Sequence, residues 1–171
     1  YIDFCGNAMQ TDEAADNEDV LNRWERLVFH LPYAFHGKRI ASELFTFSQK
    51  QQGKWLTFAE NLPTEPYEAD YTDNAQYEKD RTGFLRAITK TDEYRAFVSE
   101  KLEKAQRASS LVGNMYACSI FLALMSTLES DLQDSSDLTG KYLGLLGYGS
   151  GSKSKVFEAI VQPEWESVVS Q

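Results

Sequence analysis

His30 is the residue of this chain best suited to chemistry. It follows the apolar run Leu27-Val28-Phe29 and stands two residues before Pro32. The proline biases Leu31 toward extended backbone, which holds the imidazole at the mouth of a strand. A side chain that titrates near neutrality can there donate a hydrogen bond to a carbonyl or shuttle a proton. A histidine that merely satisfies a strand end fits the same local sequence. Asn114 lies between Gly113 and a stretch that turns helical almost at once. Its amide can cap that helix, or it can point outward as a donor toward an acyl oxygen, where oxyanion charge develops. Tyr148-Gly149-Ser150-Gly151 is a hairpin turn or a close backbone approach to a substrate that any side chain would block. Ser150 is no nucleophile elbow, because that signature places a residue between each glycine and the serine. Together the three segments have the character of an acyl-transfer site with a part missing.

Lys38 and Arg39 form a small basic island in an acidic chain. They read either as a solvated helix face or as partners for a diphosphate, to which the arginine fork is suited. His36 can add to the same patch. Two histidines six residues apart, with no cysteine close by, match no standard metal site. Cys5 and Cys118 have no close partner or metal spacing, which points to a reduced, cytoplasmic setting.

The elements that must position these residues follow from pattern. Trp24 to Phe29 reads as a short buried strand, and Gly37 to Lys50 as a helix with Ile40, Leu44 and Phe45 on one side. Residues 9–20 are acidic and weakly hydrophobic, as in a solvated turn. Residues 51–86 read as a long irregular excursion carrying Pro63 and Pro66, packed onto the body by Tyr67, Tyr71 and Tyr77. Glu93 to Arg107 is expected to be one amphipathic helix. Met115 to Leu128 is expected to be a more buried one, whose Ala117, Ser119, Ala123 and Ser126 let a neighbour approach closely. Asp131 to Gly140 reads as a polar turn. Tyr142 to Tyr148 and Lys155 to Val161 read as an antiparallel strand pair, and residues 162–171 begin a further element.

The 171 residues make one ordinary domain or half of a larger one, and a hydrophobic content of 42% suffices for a core. A formal net charge of -9 opposes nucleic acid and anionic lipid. The longest apolar stretch, Tyr116 to Met125, is too short to span a bilayer. The chain shows no signal-peptide pattern at its start and does not begin with methionine, as a trimmed or excised piece would not.

The segments Phe29-His30-Leu31-Pro32-Tyr33, Gly37-Lys38-Arg39, Val112-Gly113-Asn114-Met115-Tyr116 with Ser119, and Leu138-Thr139-Gly140-Lys141 through Tyr148-Gly149-Ser150-Gly151 occur in an order that resembles the C-terminal part of the 3-hydroxy-3-methylglutaryl-CoA synthases, within the thiolase-like superfamily. The resemblance covers most of the chain, loosely from Lys50 to Arg107. It implies an α/β fold: the C-terminal half of a layered thiolase-like domain over residues 1–171, with helices packed on a mixed sheet. It also implies condensation of acetyl-CoA with acetoacetyl-CoA, with no tightly bound cofactor. In the family a cysteine is acetylated, a glutamate manages the proton of the acetyl methyl, and hydrolysis releases the product. His30 then takes the place of the histidine that hydrogen-bonds the acetoacetyl thioester oxygen, and Asn114 that of the asparagine holding the acyl group. Ser119, Tyr148, Gly149 and Ser150 would line the acyl pocket. Tyr33 would lie on the substrate side of the CoA entrance, with Lys38 and Arg39 as its cations.

Departures accompany the match. Phe35 stands where family members usually have lysine. Cys118 falls inside the expected buried helix and is not taken as the acetyl acceptor. The family's nucleophilic cysteine and catalytic glutamate belong to an N-terminal half outside this chain, so the piece alone is expected to be inactive. That half and a second copy, as a homodimer, are the expected partners. A related ketoacyl-synthase-like enzyme and a catalytically silent thiolase-like scaffold remain alternatives.

Overall fold

The computed structural model describes residues 20–30, 36–149 and 153–170. In chain order the elements are α1 (Val20–Arg23), β1 (Trp24–Phe29), α2 (His36–Gln51), α3 (Trp55–Ala59), α4 (Asn74–Ile88), α5 (Asp92–Lys101), α6 (Glu103–Val112), α7 (Ser119–Gln133), β2 (Tyr142–Gly149), β3 (Lys153–Ile160) and α8 (Trp165–Val169). β1 pairs in parallel with β2, Phe29 opposite Leu146, and β2 pairs antiparallel with β3. The result is a mixed sheet in the order β1-β2-β3. Parallel neighbours need a long crossover, and here that crossover carries six helices, α2 to α7.

Alternation along the strands sends side chains to two cores. Phe29 and Leu146 face α2, α4 and α5, where Leu44, Phe45, Ile88 and Val98 are buried. Val28 and Leu145 face α6 and α7, where Ala105 and Ala123 are buried. Leu143 joins Val161 and Trp165 beside the apolar side of α7. Both faces of β1 and of the adjoining length of β2 are therefore covered, as strands with few polar positions require, while β3 stays largely exposed. Trp24 ends up against Gly144: a β-carbon built there would stand 2.3 Å from the indole ring. The indole N–H donates to Glu158 at 2.8 Å on β3. Glycine at this position is a packing requirement.

α7 docks on α6 through the small residues expected to allow it. Ser126 Oγ donates to the Lys104 carbonyl at 2.7 Å and accepts from the Ala108 amide at 3.1 Å. Short polar side chains here act as interhelical ties as well as spacers. The further element expected in the tail is α8, which buries Trp165.

Three expectations need correction. Residues 51–86 are largely ordered: α3 and α4 occupy much of the stretch, with a single 3-10 turn at Glu68–Asp70 between them. Asp73 caps α4 by accepting from the Ala75 amide at 2.9 Å, and Phe84 and Ile88, four apart, bury one face. The stretch is held to the body by Phe58 against Phe45, and Trp55 ties α3 to α4 through Phe84. Glu65 adds ion pairs to Lys50 and Arg81. The tyrosines do less, since Tyr71 packs on Tyr77 and Tyr67 is exposed.

The single helix expected over Glu93 to Arg107 is two. It breaks at Leu102, whose φ of -121° lies outside the helical range. The break buries Leu102 in the core and redirects the chain along α7.

Asp131 is part of α7, not a polar turn. Its fully buried carboxylate accepts from Arg26 Nη2 at 2.7 Å and Nε at 3.1 Å, and from Lys104 Nζ at 2.7 Å. Burial acts against the charge of Arg26, and the hydrogen bonds it donates to Asp131, with the negative charges of Asp131 and Glu25, more than offset it, so the guanidinium pKa is raised.

Candidate active site

Parallel pairing brings the carboxyl ends of β1 and β2 to one edge of the sheet, the usual place for a site in an α/β layer. His30 is the first residue past β1, and its amide donates to the Leu146 carbonyl at 2.9 Å, carrying the ladder one step further. This fixes the backbone from which the imidazole projects. β2 continues past this level through Gly147 to Tyr148 and Gly149, which pair with Ser154 and Lys153 of β3. The β2–β3 hairpin therefore overhangs the same edge as His30.

The amino end of α7 reaches this edge too. Ser119 is the first residue of α7 and is only 1% exposed. Its Oγ lies 2.7 Å from His30 Nδ1. Whichever of the two carries the proton, this contact fixes the ring's orientation and commits Nδ1. The buried hydroxyl is placed to act on His30 more directly than on a substrate. The positive end of the α7 dipole faces the same region and favours an oxygen that gains negative charge.

The chain enters α7 through an unusual turn. Gly113 terminates α6 with φ 87° and ψ -155°, a conformation open to glycine. Tyr116 then takes a positive φ of 49°. Asn114 Oδ1 accepts from the Tyr116 amide at 2.8 Å and steadies that strained residue. The helix cap that the sequence offered as one reading of Asn114 is not made: the 3-10 turn Tyr116–Cys118 and α7 have Met115 and Cys118 at their N-cap positions, with no side-chain cap bond. Asn114 instead closes a local side-chain turn ahead of them, and it is exposed.

Cys118 belongs to that 3-10 turn and is exposed, which corrects its expected place inside a buried helix. Lys38 lies in the first turns of α2. Its Nζ is 3.5 Å from Glu103 at the head of α6, and its carbonyl accepts from the Tyr94 hydroxyl. It lines a cavity between α2, α4 and α5 whose walls do not include His30, Asn114 or Ser119. Arg39 is on α2, and nothing is described of its side chain or that of Tyr148. Tyr33, Phe35 and Ser150 lie outside the described residues. Among the described residues no group of three or more His, Cys, Asp or Glu side chains is arranged to hold a metal ion.

The family model described as "Hydroxymethylglutaryl-coenzyme A synthase C terminal" matches residues 1–170. The chain belongs to the hydroxymethylglutaryl-CoA synthase family. A hydroxymethylglutaryl-CoA synthase of Haloferax volcanii is 26% identical over 165 residues, covering 96% of this chain and 37% of the relative. One from a Fusarium species is 32% identical over 114 residues, covering 66% of this chain and 23% of the relative. Among solved structures, "MvaS in complex with 3-hydroxy-3-methylglutaryl coenzyme A" superposes with a TM-score of 0.58 at 17% identity, over 96% of this chain and 32% of the other. The HMG synthase of the curacin biosynthetic pathway gives a TM-score of 0.53 at 22% identity, over 100% of this chain and 32% of the other. At these identities the structures establish the thiolase-like fold. The chain spans about a third of the length of the relatives it matches.

Within the hydroxymethylglutaryl-CoA synthase C-terminal region, two contacts, one at the site and one away from it, were not read from the sequence. The Ser119–His30 contact joins residues 89 apart, and only the family order hinted that they meet. The Arg26–Asp131 pair ties β1 to the carboxyl end of α7, the end away from Ser119.

Proposed function

We propose that this chain supplies the acyl-polarising half of a condensing enzyme that joins acetyl-CoA and acetoacetyl-CoA to give 3-hydroxy-3-methylglutaryl-CoA. The observation that carries the reading is His30 held by Ser119 at the sheet edge past which the β2–β3 pair extends. His30 donates a hydrogen bond to the thioester oxygen of the acetoacetyl group, and Asn114 Nδ2 donates to an acyl oxygen. Both donors act where charge accumulates as the carbon–carbon bond forms. Tyr33, Tyr148, Gly149 and Ser150 line the acyl pocket, and Lys38 and Arg39 supply cations along the CoA path. Acetylation of a cysteine and removal of the acetyl methyl proton by a glutamate fall to the part of the enzyme that precedes these residues.

The surface supports association with that part and with a second copy. Leu111, Val112, Tyr116, Phe121 and Met125 are exposed around the α6–α7 junction, as are Phe157 and Ile160 on β3. So much large apolar side chain open to water at one junction marks an interaction surface. Among the described residues no helix is long and apolar enough to cross a membrane. The cytoplasm is the compartment proposed for the enzyme, on the sequence spacing of Cys5 and Cys118, which suits neither a close pair nor a metal.

The test uses the full-length protein with His30→Ala. Condensation should fall while acetylation of the enzyme from acetyl-CoA, followed by mass spectrometry, stays near its normal rate. Equal loss of both half-reactions would remove the role given to His30. Normal condensation would favour a silent thiolase-like scaffold for this half.

A further inference from the structure

The cavity that Lys38 lines has a volume of about 460 Å³ and lies between α2, α4 and α5 at the head of α6. That size is within the range of small-molecule sites. Its wall is apolar where Leu85 and Val98 meet the ring of Tyr94. The Tyr94 hydroxyl is already spent on the Lys38 carbonyl, and burial pushes its pKa up. Tyr94 therefore offers the cavity a ring and no charge.

The mouth has the opposite polarity to the rest of the chain. Net charge is -9, yet Lys38, Arg86 and Arg95 border the cavity with Glu103 as its one carboxylate among the described residues. None of the three cations is firmly committed. Lys38 reaches Glu103 only at 3.5 Å, with both side chains partly exposed. Arg95 pairs with Asp92 at 3.1 Å, but those side chains are 64% and 95% exposed, and such a pair holds its partner weakly. Arg86 makes no ion pair among the described residues. An apolar pocket with loosely held cations at its lip is matched to a molecule with a greasy body and one negative end.

We propose that this cavity binds a small amphipathic carboxylate, with an aliphatic body of about ten carbons against Leu85, Val98 and Tyr94 and its headgroup at Arg86 and Arg95. The site is separate from the condensing reaction and does not depend on it. Lys38 is the single residue it shares with the CoA path proposed above.

Calorimetric titration of decanoate into the full-length protein tests this, with decanol as the uncharged control. Arg86→Glu reverses a charge on an exposed helix position, and Thr82→Trp fills the cavity from a half-buried position on α4; neither residue belongs to the condensing site. The expected result is saturable 1:1 binding that is roughly tenfold weaker for decanol and for R86E, absent in T82W, and unchanged by saturating CoA. Three results would overturn the proposal. They are no saturable binding, binding of decanol as tight as decanoate and indifferent to R86E, or displacement of decanoate by CoA, which would make the cavity part of the CoA path.

Discussion

The hydroxyl of Ser119 and Nδ1 of His30 stand 2.7 Å apart, joining the amino end of α7 to the carboxyl end of β1. A buried hydroxyl in that position orients the ring and restricts its tautomer, so its worth lies in placing the other nitrogen.

Replacing Ser119 with Ala in the full-length enzyme should lower the turnover number for condensation by on the order of tenfold to a hundredfold, because small misplacements of a reacting group are costly. The Michaelis constant should change little. The pH–rate profile should also shift, which a purely structural defect would not cause, and Ser119→Thr should recover part of the rate. An unaltered profile with unaltered rate would mean the contact has no catalytic consequence.

Asn114 allows its two roles to be separated. Asn114→Asp keeps an oxygen for the Tyr116 amide and removes the outward donor. Asn114→Ala removes both and should cost about 1 kcal/mol of stability through the lost hydrogen bond from the Tyr116 amide. The expected pattern is a stable, slow Asp variant and a less stable, slow Ala variant, from denaturant melts beside steady-state rates. An Asp variant with full activity would leave Asn114 with a structural role in the turn alone.

The packing of Trp24 on Gly144 gives a prediction about the sheet. Gly144→Ala drives a methyl into the indole ring and should cost about 3 kcal/mol, read from the midpoint of urea unfolding. Trp24→Phe introduced alongside should return part of that loss, since it removes the fused six-membered ring that brings Cε3 and Cζ3 against the new methyl.

Glu65 predicts how the fold responds to acid. Burial acts to raise its pKa, but the hydrogen bonds from Lys50 and Arg81 prevail and hold it below its ordinary value of 4.5. The unfolded chain then binds the proton more readily than the folded one. The contribution of Glu65 is accordingly present above pH 4.5 and lost as pH falls through the folded-state value. Glu65→Gln should therefore be less stable than the parent at pH 7, with the difference narrowing as pH falls below that range. A difference independent of pH would assign the effect to packing.

Strand positions were legible because an apolar run closed by Pro32 or by a glycine-serine turn is too short for a buried helix and too apolar for a loop. The helical layer was less so. Residues 51–86 carry two prolines and many acids, and α4 becomes evident only when Asp73 is seen as its cap. Leu102 looks like any apolar position of a helix, and the tertiary demand to bury it breaks the helix there. Asp131 invites a solvent-exposed reading until Arg26 and Lys104 are brought in from elements far away in sequence. At the site, residue types pointed to His30 and Asn114. The hydrogen bonds that orient His30 and tie Asn114 to the Tyr116 amide depend on geometry that composition could not reveal.

The most direct test of this division of labour is acetyl-CoA labelling of the full-length protein followed by peptide mapping. The acetyl group should appear on a cysteine outside these 171 residues, with condensation then depending on His30 and Asn114. Label on Cys118, or an active enzyme that never forms an acetyl-cysteine, would contradict the role proposed for this half.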